Sequence, residues 1–298
     1  MFYQPSRALG LLVGTLLTLW AAGIALLLLN VGVTAGAGWG GLLGYGGAAA
    51  AGALAALFAY WTYSLATLSY ALDRNGLVIQ WGPVRQVVPL DAIERLVPGT
   101  SVGVPSVHGV SWWGHHVGTA RVERVGDVLF YSTHQAPEQV LYVVTGQRAY
   151  GISVEDAAEF AREVQLRQDL GPTATVSHHV ERSAAVLQSF WADRRALWLA
   201  GAAIVGVVAV WTQLALRYDS LPAALAIQFP PSRHDAVIPV TGREALVELP
   251  RTATLLLLGN LGLGIVLHAW DRMAGYVLLA AAVAVQVAMF AALVLVLA

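Results

Sequence analysis

The sequence predicts an α-helical polytopic membrane protein of about five transmembrane helices with one inserted α+β domain. Three observations carry this. Of the 298 residues 57% are hydrophobic and only 12% charged, with a mean hydropathy of +0.63, whereas soluble domains carry about 25% charged residues. No charged residue occurs from Ala8 to Leu72, and further uncharged runs cover 196–216, 253–270 and 274–298. Between the first two of these regions lie about 120 residues of ordinary polarity, rich in short alternating segments.

A span needs about 20 apolar residues, so the first run must hold two helices and a turn. The glycine-rich break Val33-Thr-Ala-Gly-Ala-Gly-Trp-Gly-Gly41 places them at 8–30 and 42–68. A cleaved signal peptide is the competing reading. Its apolar core is 7–15 residues, and this run is far longer, with a single Arg7 before it; the Ala-x-Ala-like sites near Ala35–Ala37 favour that alternative. The third span, 196–216, is entered from Arg194-Arg195 and closed by Arg217. A fourth, 253–270, is near the minimum length and holds Asn260 and His268. Asp271-Arg272 makes a tight turn before the fifth.

The organisation is therefore a helical hairpin at 1–69, an inserted domain at 70–170, a juxtamembrane linker helix at 171–195, the third span, a loop at 217–252, and the last two spans at 253–298. Positive residues favour the cytoplasmic side. Arg7, Arg182, Arg194, Arg195 and Arg272 share one side if the N-terminus is inside, while the four arginines of 217–251 are balanced by Asp219, Asp235, Glu244 and Glu248. The expectation is a multi-pass protein of a bacterial plasma membrane, with the N-terminus and inserted domain cytoplasmic and the C-terminus extracytoplasmic. The absence of Lys beside abundant Ala, Gly and Arg hints at a GC-rich bacterial genome.

In the insert, Tyr70–Asp73 and Leu77–Trp81 flank Arg74-Asn75-Gly76, a hairpin around an Asn-Gly turn that tolerates positive φ. Strands follow at 84–88 and 92–97 and, after a glycine-rich loop, at 119–125, 127–132, 138–145 and 148–152. A helix comes next, with Ser153 as N-cap, Glu155 and Asp156 in its first turn, and an apolar stripe of Val154, Ala157, Ala161 and Val164. Glu163 and Arg167 form an i,i+4 pair and Gly171-Pro172 ends it. About seven short strands and one helix describe a curled sheet or barrel capped by its C-terminal helix.

Several strings carry a family resemblance: Tyr70-Ala-Leu-Asp-Arg-Asn-Gly-Leu-Val-Ile79, Val88-Pro-Leu-Asp-Ala-Ile93, Val117-Gly-Thr119, Val128-Leu-Phe-Tyr-Ser-Thr133 and Tyr150-Gly-Ile-Ser-Val-Glu-Asp-Ala-Ala-Glu-Phe160. In order and spacing they resemble the bacterial pleckstrin-homology-like (PH-like) domains of small membrane proteins. The resemblance covers roughly 70–167 and implies flanking transmembrane helices, as here. A second string, Leu221-Pro-Ala-Ala-Leu-Ala-Ile-Gln-Phe229, resembles a bacterial membrane module with a Leu-Pro…Ile-Pro-x-His-Phe motif. Ala226 and Gln228 stand where that module has Pro and His.

Chemistry-bearing motifs are few. With no Cys, thiolate nucleophiles and Cys-ligated metals are excluded. Gly99-Thr-Ser101-Val-Gly103 matches a nucleophile elbow in letters but is followed by Val104-Pro105 and more loop rather than a helix. His108, His115 and His116 share a loop with Trp112 and Trp113, but no acidic residue lies between Glu94 and Glu123 and His115 and His116 would face opposite ways on a strand. Trp112, Trp113, His115 and His116 are candidates for contact with the membrane interface or a partner, against ordinary packing on the sheet. The glycines at 259, 262 and 264 follow no strand, so helix packing accounts for them better than a nucleotide loop. Gly10-x-x-x-Gly14 has the spacing of close helix approach.

No catalytic residue, cofactor or metal is expected. Nucleic acid is not indicated at a net charge of −1. Phosphoinositide binding would need clustered cations, and residues 70–168 hold 8 Arg against 10 acidic residues. The expected partners are the lipid bilayer and another protein or a second copy. The leading expectation is a non-enzymatic, membrane-anchored scaffold or accessory subunit. A membrane sensor working through the 217–251 loop is the alternative. A transporter component is the third, disfavoured by the lack of charge within the first three spans.

Overall fold

A computed structural model describes residues 1–182, 189–226 and 240–297. Among them five helices are long and apolar enough to cross a membrane: α1 (Ala8–Ala35), α2 (Trp39–Ala66), α5 (Arg194–Tyr218), α6 (Glu248–His268) and α7 (Arg272–Leu297). They make this a multi-pass membrane protein. Trp20, Leu27, Leu43, Val205 and Leu295 are all more than 60% exposed, as a helix surface facing hydrocarbon requires and one facing water forbids at this scale. The first two helices run longer than the expected 8–30 and 42–68. Glycine-rich sequence stays helical where no water competes for the backbone, so the break shrinks to residues 36–38, with Gly36 at φ 73°.

The chain divides into two compact units, 1–22 with 53–183 and 23–52 with 184–298. In the first, a five-stranded sheet has the order β1-β2-β3-β4-β11, built from Phe2–Tyr3, Ser69–Leu72, Gly76–Trp81, Val84–Pro89 and His179–Arg182. A six-stranded sheet has the order β5-β9-β10-β8-β7-β6, from Ile93–Pro98, Val140–Thr145, Ala149–Ser153, Gly126–Ser132, His115–Val122 and His108–Trp112. All pairings are antiparallel except β8 with β10.

Alternation explains the core. Tyr70, Leu72, Leu77 and Ile79 of one sheet meet Leu141, Val143, Tyr150 and Ile152 of the other, all nearly or fully buried. Helix α4 (Ala157–Leu170) adds Phe160 and Val164, each contributing about 1.5–3 kcal/mol by burial. Its N-cap is Asp156, whose Oδ1 accepts from the Glu159 amide at 2.8 Å, and not Ser153, which ends β10. There the Ser153 hydroxyl accepts from the Thr133 amide at 3.1 Å. Glu163 pairs with Arg167, and Gly171 at φ 69° ends the helix.

Three expectations are corrected. His108–Trp112, read as loop, is strand β6, held by full antiparallel pairing with β7. His179–Arg182, assigned to a linker helix, is β11. It completes the sheet edge at β4 in a register that sets Glu181 opposite Arg85, with the ion pair at 3.0 Å. The helical stripe through Val180 thus loses to cross-strand pairing; Ala184 and Leu187 of that stripe lie outside the described residues. Finally, Gly99–Val102 forms one helical turn, α3, closed by Gly103 at φ 75°. With Val104 and Val107 it covers the outer face of the six-stranded sheet over Phe130, Tyr142 and Val144.

In the second unit α5, α6 and α7 pack along small residues. Ala203, Val207, Ala253, Leu257 and Ala282 form one buried layer. Gln286 is buried there and donates to the Ala253 carbonyl at 2.9 Å. A short pair, β12 (Ala224–Ala226) with β13 (Val240–Gly242), lies between α5 and α6 in sequence. The Leu221–Phe229 string runs out of the described residues after Ala226.

Candidate functional site: the β6–β7 edge of the inserted domain

Among the described residues β6 is a free edge of the six-stranded sheet, a row of backbone donors and acceptors available to another strand. The turn Trp113-Gly114 joins it to β7, with Gly114 at φ 78°. The register sets Ser111 opposite His116, and His116 opposite Ser132 on β8. These three side chains form one row on one face, and His134 follows just beyond β8.

The row is hydrogen-bonded throughout. Ser111 Oγ lies 2.7 Å from His116 Nδ1, and Ser132 Oγ lies 2.8 Å from His134 Nδ1. His116 Nε2 is 3.1 Å from the His134 carbonyl oxygen, so it carries the proton and Nδ1 accepts from the serine. The two imidazoles stack with centroids 4.2 Å apart. They border a cavity of about 340 Å³ whose other walls are Pro105, Val107 and Pro137.

The opposite face is closed. His115 is fully buried; its Nε2 accepts from the Trp81 indole at 3.3 Å and its ring lies 4.4 Å from that of Trp112. Its Nδ1 has no partner. Trp112 donates to the Gly10 carbonyl at 3.1 Å and its ring lies 6.1 Å from Trp61. Trp113 is 77% exposed at the tip of the turn.

Burial sets the charge state. It pushes His115 down to about 4, with the neighbouring His116 adding to the shift, and it pushes His134 to about 4 in the same way. His116 is also lowered by burial, partly offset by its bond to the His134 carbonyl. All three imidazoles are neutral at pH 7. Neutral imidazole is a metal ligand, but among the described residues no group of three His, Asp or Glu is placed to share an ion.

The expected contact residues thus separate. Trp113 is free at the surface and His116 reaches the cavity. Trp112 is packed toward α1, and His115 has no surface to offer a partner. Sequence reasoning missed Ser111, Ser132 and His134, because β-pairing brings them to His116 from 5 to 18 positions away.

Residues 68–168 match the family described as bacterial PH domain. That span opens just before β2 and closes within α4, so both sheets apart from β1 and β11 fall inside it. No curated protein and no solved structure matches the chain. The PH-like domain is thus a third of a membrane protein whose spans lie to either side of it in sequence.

Proposed function

We propose that the protein is a non-enzymatic, membrane-anchored scaffold or accessory subunit whose PH-like domain takes up an extended segment of a protein partner, or of a second copy, along β6. The free edge beside the Ser111–His116–His134 cavity is the observation that supports this. An added strand gains main-chain hydrogen bonds from such an edge, while an adjoining pocket selects its side chains. The neutral imidazoles and serine hydroxyls offer donors and acceptors without charge, which suits a polar but uncharged side chain. Trp113 supplies exposed aromatic area at the rim, the kind of surface that anchors interfaces or rests among lipid headgroups.

Phosphoinositide binding fits poorly. Arg74, the cation of the first hairpin turn, is engaged: its Nε and Nη2 donate to the Gly171 and Leu170 carbonyls, both at 3.0 Å. The cytoplasmic placement of the domain, with the C-terminus on the other side, belongs to the same proposal and rests on the arginine distribution.

The test is extraction of the native membrane into nanodiscs followed by native mass spectrometry. A stoichiometric protein partner or a defined oligomer that is lost in Trp113→Ala combined with His116→Ala is the expected result. A strictly monomeric protein without partners overturns the proposal. Covalent labelling of Ser111 by a fluorophosphonate would overturn its non-enzymatic part, because Ser111 and His116 have the spacing of a nucleophile and its base.

A further inference from the structure

The second unit contains a cavity of about 620 Å³ between helices α1, α2, α5 and α6, and it is built unlike the pockets of the PH-like domain. Its walls are apolar: Leu26, Leu29 and Val33 of α1 face Ala48 and Ala49 of α2 and Leu255 of α6. Leu26, Val33 and Leu255 are 63–70% exposed, so the cavity is a groove open along its side. α1 and α2 touch closely above it: a β-carbon on Gly47 would stand 3.0 Å from Leu28 Cδ1, and one on Gly32 would stand 3.0 Å from the Tyr45 nitrogen. The alanines that follow on α2 leave the volume unfilled.

Polarity is confined to one end. Tyr45 and Trp211 meet there with ring centroids 5.3 Å apart, and the Trp211 indole donates to Thr254 Oγ1 at 3.0 Å. Among the described residues Arg251 is the one charged residue lining the groove. It holds Glu248 at 2.8 Å, but both side chains are more than 60% exposed, and such a pair contributes little. From Val33 to Ala25 the groove follows α1 for about 12 Å at the helical rise, close to the ~15 Å of one leaflet's hydrocarbon. The polar end lies toward residues 36–38 and the start of α6, where a span meets the headgroups.

We propose that this groove binds one phospholipid from that leaflet, an acyl chain lying along Leu26, Leu29, Ala48 and Ala49 and the phosphate resting on Arg251. A groove open within one leaflet's hydrocarbon is bathed in acyl chains, and a guanidinium at its mouth matches a phosphate in charge and geometry. The site differs from annular lipid contact because the chain enters between helices and its headgroup has a fixed cation. It is independent of the partner proposed for the PH-like domain.

The test uses the full-length protein in nanodiscs doped with a phosphatidylglycerol carrying a photoreactive group in one acyl chain, with crosslinks mapped by mass spectrometry. Crosslinks should concentrate on Leu26, Leu29 and Leu255 over Val287 and Leu295, which are exposed on α7 away from the groove. Ala49→Phe should abolish the groove crosslinks and leave those on α7 unchanged. Arg251→Gln, at an exposed position paired only with the exposed Glu248 among the described residues, should lower them by about tenfold, the loss of one charge-assisted hydrogen bond. The same photoreactive chain on phosphatidylethanolamine should label equally, since both carry the phosphate. Labelling spread evenly over groove and α7, equal labelling by a diacylglycerol without phosphate, or crosslinks from the groove to another protein helix would each overturn the proposal.

Discussion

The indole of Trp112 donates to the carbonyl of Gly10 at 3.1 Å, and this bond joins the edge strand of the PH-like domain to the first turn of α1. The contact needs bare backbone on both sides. A β-carbon on Gly10 would overlap the Gly114 carbonyl and the Leu65 side chain, and one on Gly114 would stand 2.8 Å from the Gly10 nitrogen. Gly14, one turn on, makes room for Thr62 of α2. Within the Gly10-x-x-x-Gly14 spacing both glycines make room for α2, Gly10 for Leu65 and Gly14 for Thr62, and Gly10 also seats the β6–β7 turn.

Replacing Gly10 should therefore loosen the turn as well as the packing of α1 on α2. Gly10→Leu is expected to destabilise the first unit by about 1–3 kcal/mol through overpacking, and Trp112→Phe by about 1 kcal/mol through the lost hydrogen bond. Hydrogen exchange on the nanodisc-embedded protein checks this: β6 and β7 amides should lose protection in both variants. Unchanged β6–β7 exchange in Gly10→Leu would show that the turn does not rest on α1.

The buried imidazoles give the PH-like domain a pH dependence of defined sign. His115 and His134 stay neutral in the folded state down to about pH 4, whereas in the unfolded chain they take up protons below about 6.5. The unfolded state then binds more protons, so stability is complete above pH 6.5 and falls as pH drops toward 4. His115 alone gives a slope of up to about 1.4 kcal/mol per pH unit in that window. Unfolding midpoints between pH 4 and 7 should show this decline, and His115→Phe should flatten it. A midpoint independent of pH across this range would contradict the burial of both rings.

Tyr70 holds the two sheets in register through one hydroxyl. It donates to the Tyr131 carbonyl at 2.6 Å and accepts from the Ser153 amide at 3.2 Å, with no solvent access. Burial pushes its ionisation far above the ordinary tyrosine range. Tyr70→Phe keeps the ring but leaves a buried carbonyl and a buried N–H without this partner, at about 1–3 kcal/mol each. Denaturant unfolding should register that loss, and the Ser153 amide should exchange faster. A variant as stable as the native protein would mean that water replaces the hydroxyl.

The spans and hairpin strands were legible because hydropathy and alternation are local signals. Ala8–Leu72 without charge admits few structures, and the hairpin turns at Arg74-Asn75 as its strands imply. Neither Asn75 nor Gly76 takes a positive φ; the turn is closed instead by Asp73 Oδ1, which accepts from both their amides. What could not be read depends on partners distant in sequence. His108-Gly-Val-Ser-Trp112 becomes a strand only because β7 lies beside it, and His179–Arg182 because β4 offers an open edge. The N-cap moved from Ser153 to Asp156 because parallel pairing with β8 draws the chain through Ile152 as strand. The same holds for the site: His115 and His116 were visible as neighbours, but the burial of one and the serine and histidine partners of the other arise from sheet register.

One carboxylate ties together three spans of the second unit. Asp193 caps α5, accepting from the Arg195 and Ala196 amides at 2.9 and 3.4 Å. Its Oδ2 also accepts from the Tyr276 hydroxyl on α7 and lies 3.4 Å from Nε2 of His268 on α6. The bond from Tyr276 holds the Asp193 carboxyl below the usual carboxylate range, so it remains ionised through the physiological pH window. His268 is buried, and neither ring nitrogen has a hydrogen bond, so the Asp193 carboxylate is the polar group that faces its Nε2. Asp193→Ala removes the cap, the acceptor for Tyr276 and that charge together, whereas Asp193→Asn keeps the capping oxygen but replaces the charge, and the acceptor that faces Tyr276, with a neutral amide. Thermal unfolding in nanodiscs should fall by several degrees in the alanine variant and by less in the asparagine variant, with Tyr276→Phe closer to native than either. Equal midpoints for Asp193→Ala and the native protein would mean that these helix ends are held by apolar packing alone.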